Sequence, residues 1–110
     1  MEPGLDRHDW ETEWQQLEPL VVDSPGEALP ELDDLVERML VERGYPTALP
    51  DDETAARDLD QPEILAEFLE ARRIARLVDQ GADLGPGDVA AAISGFRNLY
   101  EFLLEQTHTA

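Results

Sequence analysis

The chain has 110 residues, 42% of them hydrophobic, which is enough apolar material for one self-sufficient core. It has no cysteine, which excludes a disulfide framework, a thiolate zinc site and a cysteine nucleophile. Its 26 acidic and 8 basic residues give a formal net charge of −18. A field of that sign repels phosphate and anionic lipid, so we expect no direct binding to nucleic acid or to a membrane.

The negative charge is concentrated in the first half of the chain. Residues 1–60 contain 18 acidic residues and 4 arginines, whereas residues 61–110 contain 8 acidic residues and 4 arginines. The sequence has no lysine. This charge favours a basic partner, but it is equally consistent with an acidity that keeps a small protein soluble or adapts it to a salty cytoplasm.

No sequence feature directs the chain to a membrane or out of the cell. No apolar run approaches the roughly 20 residues of a membrane-spanning helix. The first residues lack the basic start and apolar stretch of a secretory signal. We therefore expect a cytoplasmic protein.

The chain is predicted to begin with a disordered tail, residues 1–8, followed by a short helix over residues 9–18 that Pro19 ends. Trp10 and Trp14 share one face of this helix. Aromatic residues at helical spacing usually pack in a core, and the alternative is an exposed docking stripe.

A second helix is predicted over residues 25–43. Ser24 is expected to cap it as part of a Ser-x-x-Glu capping box that ends at Glu27, and Gly44 is expected to stop it. Pro30 is discordant and indicates a kink or a later start near Glu31.

Residues 44–61 are predicted to be a long connection laid over the core. Tyr45, Leu49 and Leu59 are its candidate contacts with the core, and residues 51–59 are predicted to form one or two helical turns.

Two long helices follow, over residues 62–80 and 86–106, and the short glycine-rich turn between them predicts an antiparallel hairpin. The first of them is apolar over more than half of its circumference, so we expect it to be the central helix of the fold. Residues 107–110 are predicted to be a second disordered tail. The fold class is therefore all-α: a three- to four-helix bundle, built on this hairpin, in a single domain of residues 9–106.

Three arginines, Arg72, Arg73 and Arg76, lie on the polar side of the first hairpin helix. Glu67 and Glu70 are within helical reach of them. We expect these arginines to act as internal counter-charges for the domain's own carboxylates.

The acidic residues of the second helix and of the connection are predicted to lie on the surface. Periodicity puts those of the helix on its solvent side, and the others fall in a polar loop. With the two tryptophans, the candidate partner surface is Trp10, Trp14, Glu31, Asp33, Asp34, Glu37, Asp51, Asp52 and Glu53.

The residue patterns of common catalytic and metal sites are missing from the sequence. His8 and His108 lie in the two predicted tails, where nothing holds a general base in position. Asp79, Asp83 and Asp88 miss the spacing of a calcium loop. There is no phosphate-binding loop of the G-x-x-x-x-G-K-[ST] type. We expect no catalytic residues, no cofactor and no metal site, and thus no enzyme.

Five short motifs carry a resemblance to a known family. They are the spaced residues from Trp10 to Leu17, the Asp23-Ser-Pro start, and the segments 35–39, 43–46 and 94–104. On these motifs the chain resembles a family of small, uncharacterised bacterial helical proteins. The resemblance implies a helical fold over most of residues 9–104 and no known catalytic activity.

These observations predict an acidic helical interaction module, a regulator or adaptor that binds a basic protein partner. The alternative is a structural homodimer, in which the apolar faces of the hairpin and the two tryptophans complete a four-helix bundle. A weaker alternative is an inhibitor that imitates the charge of DNA.

Overall fold

The computed structural model describes residues 7–106, and within that range the chain forms five α-helices and no strand. They are α1 (Arg7–Asp23), α2 (Pro25–Glu42), α3 (Glu53–Arg57), α4 (Pro62–Asp79) and α5 (Pro86–Glu105). The predicted all-α bundle is confirmed, with α3 as a short helix in the long connection. Of the two predicted tails, residues 1–6 and 107–110, including His108, lie outside the described residues.

The first helix is longer than predicted at both ends. It begins at Arg7, so Arg7 and His8 belong to the helix and not to a tail. It also continues past Pro19 to Asp23, so the prediction that Pro19 ends it is wrong.

Burial explains why α1 continues past its proline. Pro19 has no N–H for the carbonyl of Gln15, but both residues are exposed, so water can replace the missing donor. Apolar burial stabilises the next turn, because Leu20 and Val21 pack against the core.

Prolines begin three of the long helices. Pro25, Pro62 and Pro86 each stand in the first turn, where the missing N–H would have no intrahelical partner. Ser24 occupies the capping position of α2, but its side chain makes no capping hydrogen bond, so the predicted capping box is wrong. The helix runs through Pro30 without a later start.

Gly44 follows the end of α2 as predicted, and Gly81 follows the end of α4 in the same way. Gly44 and Gly81 have φ of 83° and 85°, in the left-handed region where a side chain would be strained. The N–H of Tyr45 then donates to the carbonyl of Leu40 at 2.9 Å, which closes the last turn of α2.

The central helix of the bundle is α2, not α4 as predicted. It packs extensively against α1, α4 and α5, whereas α5 contacts α1 only slightly and α4 does not reach α1. Leu29, Leu32, Val36 and Leu40 are fully buried along α2. Two neighbours are enough to cover the wide apolar face of α4. The apolar stripe of α2 is equally continuous and is covered by three neighbours, which places α2 at the centre.

Among the described helices, α4 and α5 form the pair with the most extensive contact. A Cβ added at Gly95 would lie 3.4 Å from the Cβ of Ala71, so the two backbones approach closely there. Deeper in the core, the rings of Phe68 and Phe96 pack edge to face with centroids 6.4 Å apart. The absence of a side chain at Gly95 thus permits this approach.

The connection from α2 to α4 is attached to the core through Tyr45. Its ring meets Phe102 edge to face at 6.2 Å, and its hydroxyl and the side-chain amide of Gln106 lie in hydrogen-bond contact at 3.1 Å. Leu49 is 65% exposed, so the prediction that it holds the connection to the core is wrong. No described helix is long and apolar enough to cross a membrane.

Candidate interaction surface

The two tryptophans of α1 belong to the core, and neither is available as a docking residue. Trp10 and Trp14 are 3% and 6% exposed. The indole of Trp14 stacks on the ring of Tyr100, with centroids 4.2 Å apart and planes at 12°, and its N–H donates to Glu18 at 2.7 Å. Burial beneath α1 raises the pKa of Tyr100 to about 12. The tryptophans are therefore removed from the candidate surface.

Arg38 joins α2 to α1 over the first tryptophan. Its Nη2 lies 2.6 Å from Glu13, its Nε lies 3.1 Å from Asp34, and its guanidinium carbon is 5.6 Å from the centre of the Trp10 ring. The hydrogen bond with Glu13 raises the pKa of Arg38. Asp34 is thus exposed as predicted but is already paired within the chain.

Arg72 neutralises the inner acidic residues of α2. Its guanidinium donates to Asp33 from Nη2 at 2.6 Å and from Nε at 3.0 Å, and its Nη2 also lies 2.9 Å from Glu37. The same group stacks over Phe68 at 4.5 Å. These bonds raise the pKa of Arg72 well above its ordinary value. Asp33 is buried, so its predicted place on the solvent side of α2 is wrong.

A second acidic region, in residues 51–63, remains available to solvent. We name it the acidic segment; its members, all exposed, are Asp51, Asp52, Glu53, Asp58, Asp60 and Glu63. Asp52 accepts a hydrogen bond from the N–H of Thr54 at 3.0 Å and caps α3. Among the residues that the structure describes, the acidic segment takes part in no ion pair.

The helical part of the acidic segment, α3, does not pack on the other described helices. No Cα of α3 lies within 8 Å of one in another described helix. The predicted residues Asp51, Asp52 and Glu53 are therefore exposed, and none of them shares in the ion pairs that hold the carboxylates of α2. Glu31 is exposed on the outer side of α2 as predicted.

A groove between α4 and α5 is the feature that the sequence did not predict. It has a volume of about 460 Å³ and a floor of small or buried side chains: Ala66, Ala71, Ile74, Ala91, Ala92 and Gly95. Its rim carries Glu67, Glu70, Arg73 and Asp88. The sequence signal was the set of small residues on α5, whose short side chains leave a depression beside α4: Ala90, Ala91, Ala92, Ser94 and Gly95.

The titratable groups with displaced pKa values have structural partners. Arg73 holds the pKa of Glu70 below its ordinary value through a hydrogen bond of 2.7 Å, and its own pKa is raised by the same bond. His8 is exposed on α1, and the carbonyl of the same residue accepts a hydrogen bond from Thr12. In the described part of the chain, no group of three or more His, Cys, Asp or Glu side chains is arranged to hold a metal.

Comparison of the chain with protein-family models, with curated proteins and with solved structures finds no match.

Proposed function

We propose that this protein is a non-enzymatic cytoplasmic interaction module that binds a basic protein partner through the acidic segment. The observation that carries the proposal is the concentration of exposed carboxylates without an ion pair in residues 51–63, in contrast to the carboxylates that arginines of the chain neutralise. Those facing the bundle, such as Glu13, Asp33 and Glu37, are bonded to arginines of the chain itself. Those of the acidic segment are exposed and have no such partner among the described residues.

An acidic segment of this kind suits electrostatic recognition. Like-charged groups held close together raise the local negative potential, which accelerates encounter with a basic surface and selects against acidic ones. Because the segment is solvent-exposed, its attraction is screened within about 8–10 Å at physiological salt. Binding should therefore weaken steeply as the salt concentration rises.

Self-association is the weaker proposal. It relied on unpartnered tryptophans and apolar hairpin faces, and the structure buries Trp10, Trp14 and the inner faces of α4 and α5 within one chain. A second copy would also bring another formal charge of −18 close to the first.

The test compares two variants of equal charge in pull-downs from a lysate of the source organism at low and high salt. The segment variant carries Asp51→Asn, Glu53→Gln, Asp58→Asn and Asp60→Asn, and it keeps Asp52 because this residue caps α3. The control variant carries four neutralising substitutions at exposed positions elsewhere: Asp23→Asn, Asp79→Asn, Asp83→Asn and Glu105→Gln.

We expect the wild type and the control variant to retain a basic protein at low salt and release it at high salt, and the segment variant to retain none. Equal retention by the two variants, or retention that does not respond to salt, would refute the proposal.

A further inference from the structure

The groove between α4 and α5 is an apolar depression in the surface of an otherwise highly charged protein. Ala66 and Ala91 stand at solvent-exposed positions on its two sides, where longer polar side chains are usual, and Ala71 and Ala92 form its buried floor. Its volume of about 460 Å³ falls in the usual range for ligand pockets, about 300–1,000 Å³. Ile74 adds a branched apolar wall.

The rim of the groove has a defined charge. Glu63, Glu67 and Glu70 occur at i, i+4 and i+7 on α4, so they form one acidic stripe along its edge. Asp88 lies on the opposite side, in the first turn of α5. Arg73 offsets one of these charges through its bond with Glu70, and the rim remains net negative.

Glu63, the last residue of the acidic segment, is also the first member of the acidic stripe, so the chain leads from that segment directly into the edge of α4. A basic partner that binds this segment can therefore also contact the apolar groove, whose rim is negatively charged like the segment. A second copy of this chain is a poor occupant, because its own net charge is −18.

We propose that the groove between α4 and α5 receives an amphipathic cationic helix of the protein partner. Apolar side chains of that helix, at i, i+3 or i+4, and i+7, lie on the alanine floor, while its flanking lysines or arginines face Glu63, Glu67 and Glu70. This inference rests on the proposed function, since it specifies how the basic partner is held. The closing experiment separates the two, because it changes the groove and leaves the acidic segment intact.

The probe is a fluorescein-labelled peptide of leucine and lysine whose leucines repeat at i, i+3, i+4 and i+7, with a scrambled peptide of the same composition beside it. Fluorescence anisotropy gives the affinity of each at low and high salt. Ala91→Leu and Ala66→Leu fill the groove from its two sides, and Ala90→Leu makes the same change at an exposed neighbour outside it. Glu67→Gln removes one rim charge. Circular dichroism checks that each variant keeps its helices.

We expect the amphipathic peptide to bind more tightly than the scrambled one. Each groove-filling substitution should weaken the amphipathic peptide at least about fivefold, Glu67→Gln should weaken it by a smaller factor, and Ala90→Leu should leave it unchanged.

Equal binding of the two peptides, with no effect of the filling substitutions, would overturn the groove inference and leave the proposed function standing. Preference for the amphipathic peptide without salt dependence would overturn its cationic part. Sedimentation showing a dimer that Ala91→Leu dissociates would assign the groove to a second copy instead.

Discussion

Arg72 is bonded to two carboxylates of α2 from its place on α4, and its guanidinium lies over the ring of Phe68. The side chains of Arg72 and Asp33 are 14% and 13% exposed, so water screens their attraction only in part. Two donors of one planar group reach Asp33 together, a geometry that lysine does not reproduce. Arg72 therefore joins the two helices at the point where the core would otherwise hold an unpaired charge.

Removing this arginine should destabilise the fold. Arg72→Met leaves Asp33 buried without a cation, and we expect a loss of about 2–3 kcal/mol in the free energy of unfolding, below the roughly 3–5 kcal/mol of a fully buried pair because Glu37 is partly exposed. Arg72→Lys should lose less. Urea denaturation followed by circular dichroism measures these values.

The neighbouring residue supplies the control. Arg73 pairs with Glu70 on the surface of the same helix, with side chains 58% and 64% exposed, so Arg73→Met should leave the free energy of unfolding nearly unchanged. Equal losses for the two methionine variants would show that burial does not decide the effect.

The burial of Asp33 could not be predicted from the sequence. Helical periodicity places it beside Asp34, on a side that a single helix would turn to water. Its partner Arg72 is 39 positions away, and no local pattern in the sequence reports that contact. The exposed acids at 51–53 were predictable, because a polar loop with few apolar residues has nothing to bury.

Among the elements, α1 contains the least expected feature, an interior proline. Helix starts and stops elsewhere were predictable from local chemistry, since Pro62, Pro86, Gly44 and Gly81 act within one turn. The end of α1 was not, because burial of its last turn outweighs the hydrogen bond that Pro19 removes. The central position of α2 also depends on how four helices share one core, which the apolar width of one helix does not determine.

Replacing the interior proline should stabilise the protein. Pro19→Ala restores the N–H that bonds to the carbonyl of Gln15, removing a helix-interior penalty of about 3 kcal/mol, while the more flexible unfolded chain takes back about 1 kcal/mol. We expect a net gain of about 2 kcal/mol by urea denaturation. Pro25→Ala is the matched control: at the first position of α2 no bond is gained, so a loss below about 1 kcal/mol is expected. A Pro19→Ala variant no more stable than the wild type would mean that the helix is interrupted at this residue in solution.

At the scale of the whole molecule, the arginines are too few to balance the acids. Ion pairs hold Glu11, Glu13, Glu18, Asp33, Asp34, Glu37 and Glu70, and most of the other carboxylates lie on the surface. A net charge of −18 on a chain with a radius of gyration of 14.5 Å places many of these charges within a Debye length of one another at low salt. The folded state is therefore destabilised by repulsion among its carboxylates. Binding of a basic partner would reduce this repulsion.

Salt should therefore stabilise this protein. Sodium chloride screens both the repulsion and the surface ion pairs, and the repulsion is the larger of the two because acidic residues outnumber basic ones 26 to 8. Between low salt and about 0.5 M we expect a gain of about 1 kcal/mol, or about 4–8 °C in Tm, measured by thermal denaturation. The segment variant, with four carboxylates fewer, should start from a higher Tm at low salt and gain less on addition of salt. A Tm that falls with salt would mean that the ion pairs of Arg38 and Arg72 outweigh the repulsion. The excess of carboxylates would then not destabilise the fold, and a basic partner could not stabilise it by reducing their repulsion.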